Sequence, residues 1–175
     1  MGGGKNKDFV FCFDIDDTLI KTNLANFLAY QKAIADIKNI TISPTLLQKR
    51  CDKDLLNSLT LNAQESKKIK TLKDKYFYEF LSYTAINHFL YGFMRLLQKS
   101  HNVILITNAR KPRIESLIKY HRLNTPSIFY NKNGNKYKNC IEHFHLNATS
   151  MVVFEDSDKD IHYAKEAGIK NIIKI

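Results

Sequence analysis

Asp14 and Asp16 stand two residues apart in Asp14-Ile15-Asp16-Asp17-Thr18, directly after the apolar run Phe9-Val10-Phe11-Cys12-Phe13. Carboxylates this close repel unless a cation or a shared proton relieves them. The pattern therefore points to a divalent metal and to acid–base work. A second acidic group, Glu155-Asp156-Ser157-Asp158 with Asp160 beyond it, follows another apolar run, Met151-Val152-Val153-Phe154. A third run, Val103 to Ile106, ends in Thr107-Asn108.

Each of these polar groups sits where a short apolar run stops, and such runs read as buried strands. Ser127–Tyr130 and 171–175 complete a set of five. Helical periodicity fills the intervals: Asn23 to Ile37, a helix opened by Ser43-Pro44 and running to Leu59, Tyr76 to Leu81 after the charged stretch Glu65 to Lys75, Phe89 to about Ser100, Pro112 to Arg122, Tyr137 to Leu146, and Asp158 to Ala167 with Gly168 as its stop. Alternating strands and helices imply an α/β fold, a Rossmann-like parallel sheet covered on both faces. Its strands' carboxyl ends would share one edge, where such sheets place their ligands. The stretch 23–86 has no strand signal and reads as an all-helical cap inserted after the first strand. The core is then 8–22 with 87–175. The aromatic residues Tyr76, Phe77, Tyr78, Phe80 and Tyr83 read as the core of that cap.

In this order the motifs resemble the haloacid dehalogenase superfamily of phosphohydrolases. The likeness rests on D-x-D-x-T at Asp14 to Thr18, a strand ending in Thr107, a lysine ahead of a helix, and E-D-S-x-x-x-D from Glu155 to Asp160. It covers the whole chain. The resemblance implies that Asp14 is a nucleophile forming an aspartyl-phosphate and that Asp16 is the general acid and base. Thr107 and Asn108 would bind the phosphoryl group, and a lysine would offset its charge. It also implies Mg²⁺ held by Asp14, Asp156 and the backbone carbonyl of Asp16, with Asp160 in support. Lys138 is the lysine expected, because Ile141 and Phe144 follow it at helical spacing; Lys136 is the near alternative. Many relatives have Lys-Pro here, and this chain does not. Arg110 reads as a solvated side chain, and the six histidines as surface residues.

The implied activity is a Mg²⁺-dependent phosphatase acting on a small phosphate monoester, a nucleotide or sugar phosphate among the candidates. Phosphomutase activity and action on nucleic-acid ends are the alternatives. Asp16 argues against dehalogenation, since that branch lacks the residue. A non-catalytic binding module on the same fold is the contrary reading.

Bulk composition agrees with these expectations and narrows little. The 175 residues suffice for one core and a small insertion. The formal net charge of +10 favours anionic partners, although a total does not say where charges cluster. Cys12, Cys51 and Cys140 make no Cys-x-x-Cys pair, so neither zinc nor a disulfide framework is expected. With no long apolar stretch and no signal-peptide pattern after Met1-Gly2-Gly3-Gly4, no membrane partner is expected, and the cytoplasm is the expected compartment. Oligomeric state is left open.

Overall fold

A computed structural model describes residues 9–42, 59 and 61–175. The helix expected from Ser43-Pro44 onward and Cys51 lie outside the described residues, as does the glycine run; only Leu59 of that helix is described. The chain divides into two compact units, one made of the chain up to Ile20 and from Ile86 to Ile175, the other of Lys21–Ala85.

The first unit is built on five strands: β1 (Val10–Asp14), β4 (Asn102–Thr107), β5 (Ser127–Tyr130), β6 (Met151–Glu155) and β7 (Asn171–Lys174). They run parallel in the order β5-β4-β1-β6-β7. β1 is central, and its register sets Asp14 opposite Ile106 of β4 and Phe13 opposite Phe154 of β6. The strand ends bearing Asp14, Thr107 and Glu155 are thereby brought to one edge. β1, β4 and β6 are buried almost throughout, which is why they read as continuous apolar runs and not as alternating ones.

Helices α3 (His88–Leu97), α4 (Lys111–His121), α5 (Lys136–Phe144) and α6 (Asp158–Glu166) belong to the same unit. One core joins Val10, Cys12, Ile104, Ile106, Met151 and Val153 of the sheet to Tyr137 and Cys140 of α5 and Ala164 of α6. Phe13 and Phe154, neighbours on adjacent strands, stack with ring centres 4.3 Å apart. α6 stops as expected: Gly168 takes φ +85, and the Ile169 N–H returns to the Ala164 carbonyl at 3.1 Å.

In the second unit α1 (Asn23–Lys38) and α2 (Ala63–Tyr76) are followed by a 3₁₀ helix, Phe77–Tyr83. Phe27, Tyr30, Ala33 and Ile34 of α1 pack with Ile42 and with Ile69 of α2. The charged stretch Glu65 to Lys75, expected only to lead into a helix, is itself helical. Its start is a capping box, in which the Asn62 side chain accepts from the Glu65 N–H at 2.9 Å and Glu65 accepts from the Asn62 N–H at 3.0 Å. The segment after it, expected as α-helix, is 3₁₀ with a kink at Phe80. The aromatic cluster is only partly core: Phe77 is fully buried, whereas Tyr78 and Tyr83 are exposed. Two-residue strands β2 (Ile20–Lys21) and β3 (Ala85–Ile86) pair with each other. They are too short to leave an alternating pattern, so the sequence reading had no strand there.

Candidate active site

The turn after β1 shapes the first half of the site. Asp17 sits at φ +65, a left-handed conformation that Asp tolerates better than most residues. Its N–H bonds the Ile20 carbonyl at 2.7 Å, while the N–H groups of Leu19 and Ile20 return to the Ile15 carbonyl. The loop is thus closed on itself. Asp14 is left buried at the strand end, with Asp16 half-buried on the loop.

Lys136 is the first residue of α5, after the N-cap Asn135. Its side chain is 1% exposed, with Nζ 2.5 Å from Asp14, 2.7 Å from Glu155 and 3.1 Å from Asp160. Burial pulls its ammonium down, but those three carboxylates outweigh it and hold the group above the ordinary lysine range. Lys138, the lysine expected at the phosphoryl group, lies elsewhere. It is exposed on α5, and its backbone N–H bonds the Asn135 side chain at 3.2 Å. The structure puts Lys136, and not Lys138, against Asp14, because the cap starts the helix at Lys136, one residue before the expected Tyr137.

Asp14 is itself pushed well above the usual carboxylate range, first by burial, against the pull of Lys136 and with the added repulsion of Glu155 and Asp16. Glu155 is fully engaged. One oxygen accepts from the Ser157 N–H at 3.1 Å, and the other from the Tyr137 hydroxyl at 2.6 Å and from Lys136. Burial raises its pKa, and these donors lower it again in part. The carboxylate of Asp156 accepts from the Thr18 hydroxyl at 3.1 Å, which ties the two acidic motifs together.

Carboxylate oxygens of Asp14, Glu155 and Asp156 lie within 4.8 Å of one another. All three are hard oxygen donors, the set a Mg²⁺ ion takes. Glu155 already has donors on both oxygens, which leaves Asp14 and Asp156 as the carboxylates suited to hold such an ion. The Asp16 side chain stands outside that cluster, in an ion pair with Arg113 of α4.

Thr107, buried at the end of β4, accepts the Ala109 N–H on its hydroxyl oxygen at 3.0 Å, so its own hydrogen is left to donate. Asn108 is exposed. Its amide oxygen accepts from Asn131 at 2.8 Å, and Asn131 also binds the Gly134 carbonyl at 3.2 Å. Asn108 thus also braces the loop that precedes α5. Asp160 reaches Lys136, and Arg110 is exposed.

Sequence reasoning overlooked Arg113 and undervalued Lys136. One signal was available for both. Each is a cation in the first turn of a helix, where the positive end of the helix dipole disfavours it. Residues that break a local rule need compensation, and here carboxylates from other elements provide it.

The sequence profile of haloacid dehalogenase-like hydrolases matches residues 11–174. Among the curated proteins none matches the chain by sequence. Solved structures share the fold. A family IA, variant 3 hydrolase of this kind from Entamoeba histolytica superposes with a TM-score of 0.71 at 17% identity, over 95% of this chain and 83% of that one. A subfamily IA, variant 1 hydrolase from Geobacter sulfurreducens gives 0.73 at 14% identity, over 99% and 90%. A protein described as a predicted phosphoglycolate phosphatase, from Haemophilus somnus, gives 0.74 at 17% identity, over 95% and 85%.

Proposed function

The chain belongs to the haloacid dehalogenase-like hydrolases, and from that membership and the geometry of the site we propose that it is a Mg²⁺-dependent phosphatase. Its substrate would be a small phosphate monoester, cleaved through an aspartyl-phosphate on Asp14. The observation that carries this reading is Lys136: a buried ammonium 2.5 Å from the Asp14 carboxylate, at an edge shared with Thr107 and Asp156. A cation buried that deeply costs free energy, and a site that handles phosphoryl charge has a use for it.

In the first half-reaction an Asp14 oxygen attacks phosphorus as the P–O bond to the leaving group breaks. Asp16 delivers a proton to the departing oxygen. In the second, Asp16 takes a proton from water, the water oxygen attacks phosphorus, and the Asp14 carboxylate departs, releasing phosphate. Thr107 donates its hydroxyl to a phosphoryl oxygen throughout. Lys136 holds Asp14 in place and balances charge as it builds on the phosphoryl oxygens. Glu155 and Asp160 fix Lys136 from behind.

Asp14 and Asp156 would hold Mg²⁺, with the Asp16 carbonyl as a further ligand by analogy with the family. When bound, the ion supplies positive charge that screens the repulsion between the Asp14 carboxylate and the anionic ester.

The test is hydrolysis of an aryl phosphate with Mg²⁺, with EDTA, and with Asp14→Asn. Activity that needs both the ion and Asp14 is expected, together with trapping of one phosphate per chain on Asp14. Turnover that survives Asp14→Asn refutes the mechanism.

A further inference from the structure

Three asparagine side chains stand in a row from α5 to the end of β4. The Asn139 NH2 donates to Oδ1 of Asn131 at 2.8 Å, and the Asn131 NH2 donates to Oδ1 of Asn108 at 2.8 Å. Asn139 is the fourth residue of α5. Asn131 follows β5 and is buried, and its backbone N–H bonds the Thr107 carbonyl at 2.8 Å. Asn108, at the other end of the row, is exposed.

A primary amide has nearly the same shape either way round, yet one end accepts and the other donates. An exposed one shows either end to a ligand unless a neighbour sets it. Here two backbone carbonyls, which only accept, set the whole row. The Asn139 NH2 also meets the Asn133 carbonyl at 2.8 Å, and the Asn131 NH2 also meets the Gly134 carbonyl at 3.2 Å. Both NH2 ends are thereby fixed. Asn108 turns its oxygen to Asn131, and its own NH2 points away from the row.

Under the proposed phosphatase reading, on which this inference rests, Asn108 meets anionic phosphoryl oxygens. Those oxygens accept only, so an amide serves them with its NH2 and repels them with its oxygen. We propose that Asn131 is a positioning residue, itself held by Asn139, that locks Asn108 with its donor end toward the phosphoryl group. The loop from Asn131 to the N-cap Asn135 then sets two groups at once, the donor of Asn108 and the ammonium of Lys136.

Asn131→Asp tests the lock. It keeps the size of the side chain, still accepts from Asn139, and cannot donate. Asn108 should turn over and give its NH2 to the new carboxylate. Offering that NH2 to a phosphoryl oxygen then means breaking a charge-assisted bond. The expected loss is about 10–100-fold, in orthovanadate affinity by calorimetry in Mg²⁺ buffer and in kcat/KM for an aryl phosphate. A new negative charge also repels an anion by itself, so the same change is made in Asn108→Ala. There it should cost no more than about threefold. Equal losses in the two backgrounds overturn the proposal, as does no loss in the native one. Unaltered orthovanadate affinity in Asn108→Ala alone overturns it too. Circular dichroism establishes that each variant is folded.

A second readout needs no ligand. In ¹⁵N spectra of the native chain the NH2 groups of Asn131 and Asn139 should exchange slowly with water, and that of Asn108 fast. Asn131→Asp should slow the Asn108 NH2 at least about tenfold. An Asn108 NH2 already protected in the native chain, or unchanged by Asn131→Asp, refutes the lock. Absence of hydrolysis on every ester sinks the phosphatase reading, while orthovanadate binding and amide exchange still decide the role of Asn131. A native chain that binds no orthovanadate overturns that role as well.

Discussion

Replacing Lys136 by Met keeps most of the length of the side chain and removes its charge. Asp14, Glu155 and Asp160, at 2.5, 2.7 and 3.1 Å from Nζ, would then face one another without their common cation. Lys136 and Glu155 are each 1% exposed, so water screens little of the repulsion. Removing one partner of a buried ion pair costs about 3–5 kcal/mol. For a domain of this size that is a fall in Tm of roughly 6–20 °C. Lys138→Met is the control: that side chain is exposed, and the change should stay within about 0.5 kcal/mol.

The loss should depend on pH in a set direction. In the native chain Lys136 is held above its ordinary 10.5, so the stability it contributes is fully present below that value and is lost only at higher pH. Its own titration therefore adds no pH dependence between pH 5 and 8. Asp14 and Glu155 are already raised by burial, and without Lys136 they rise further. A carboxylate raised on folding favours the folded state below its unfolded pKa and penalises it as pH climbs through the folded value. The deficit of Lys136→Met should therefore be smaller at pH 5 than at pH 7.5. Urea unfolding of both variants, with EDTA present so that no divalent ion replaces the lysine, reads this directly. Turnover of the aryl phosphate should drop at least about 100-fold in Lys136→Met. A deficit equal at both pH values, or no larger than that of Lys138→Met, would refute the argument that Lys136 neutralises this cluster.

Three further outcomes follow from single contacts. Tyr137→Phe removes the buried hydroxyl that donates to Glu155 at 2.6 Å and should cost about 1–3 kcal/mol in urea unfolding, with the helix content unchanged. Thr18→Val removes the 3.1 Å donor to Asp156 and should weaken Mg²⁺ binding about tenfold by calorimetry, with little change in Tm. Asn62→Ala breaks the capping box of α2 and should destabilise Lys21–Ala85 by about 1 kcal/mol, read as faster amide exchange in α2.

The parallel sheet was legible because its strands are buried on both faces. Val103 to Ile106 and Met151 to Phe154 then appear as unbroken apolar runs, and the polar residue that ends each run marks the edge. The elements misread were those whose formation depends on something other than periodicity. Few apolar residues mark Glu65 to Lys75, yet a reciprocal Asn62–Glu65 cap and the burial of Ile69 make it α2. The aromatic run after it looked like helix core by composition. Only Phe77 of it is fully buried, while Tyr78 before the kink at Phe80 and Tyr83 after it are exposed.

Within the site, the strand-borne groups were readable, whereas of the helix-borne cations Arg113 was missed and Lys136 ranked second, and a geometric reason separates them. A strand delivers its last side chain where the run stops, so Asp14, Thr107 and Glu155 could be placed from the sequence. A helix that leaves the same edge tilts its Cα–Cβ bonds back toward its own N-terminus. Side chains in the first turn therefore overhang the edge the strand has just left. Arg113 is third after the N-cap of α4, Lys136 first after that of α5, and Asp160 third after that of α6. All three reach carboxylates or cations contributed by other elements. Choosing Lys138 from the spacing of Ile141 and Phe144 assumed that a helix's buried face is also the face that serves the site. The site is served instead by the open end of the helix, and the residue to seek is the one nearest the cap. Asn135, whose side chain accepts from the N–H groups of Tyr137 and Lys138, marks that cap and makes Lys136 the first residue past it.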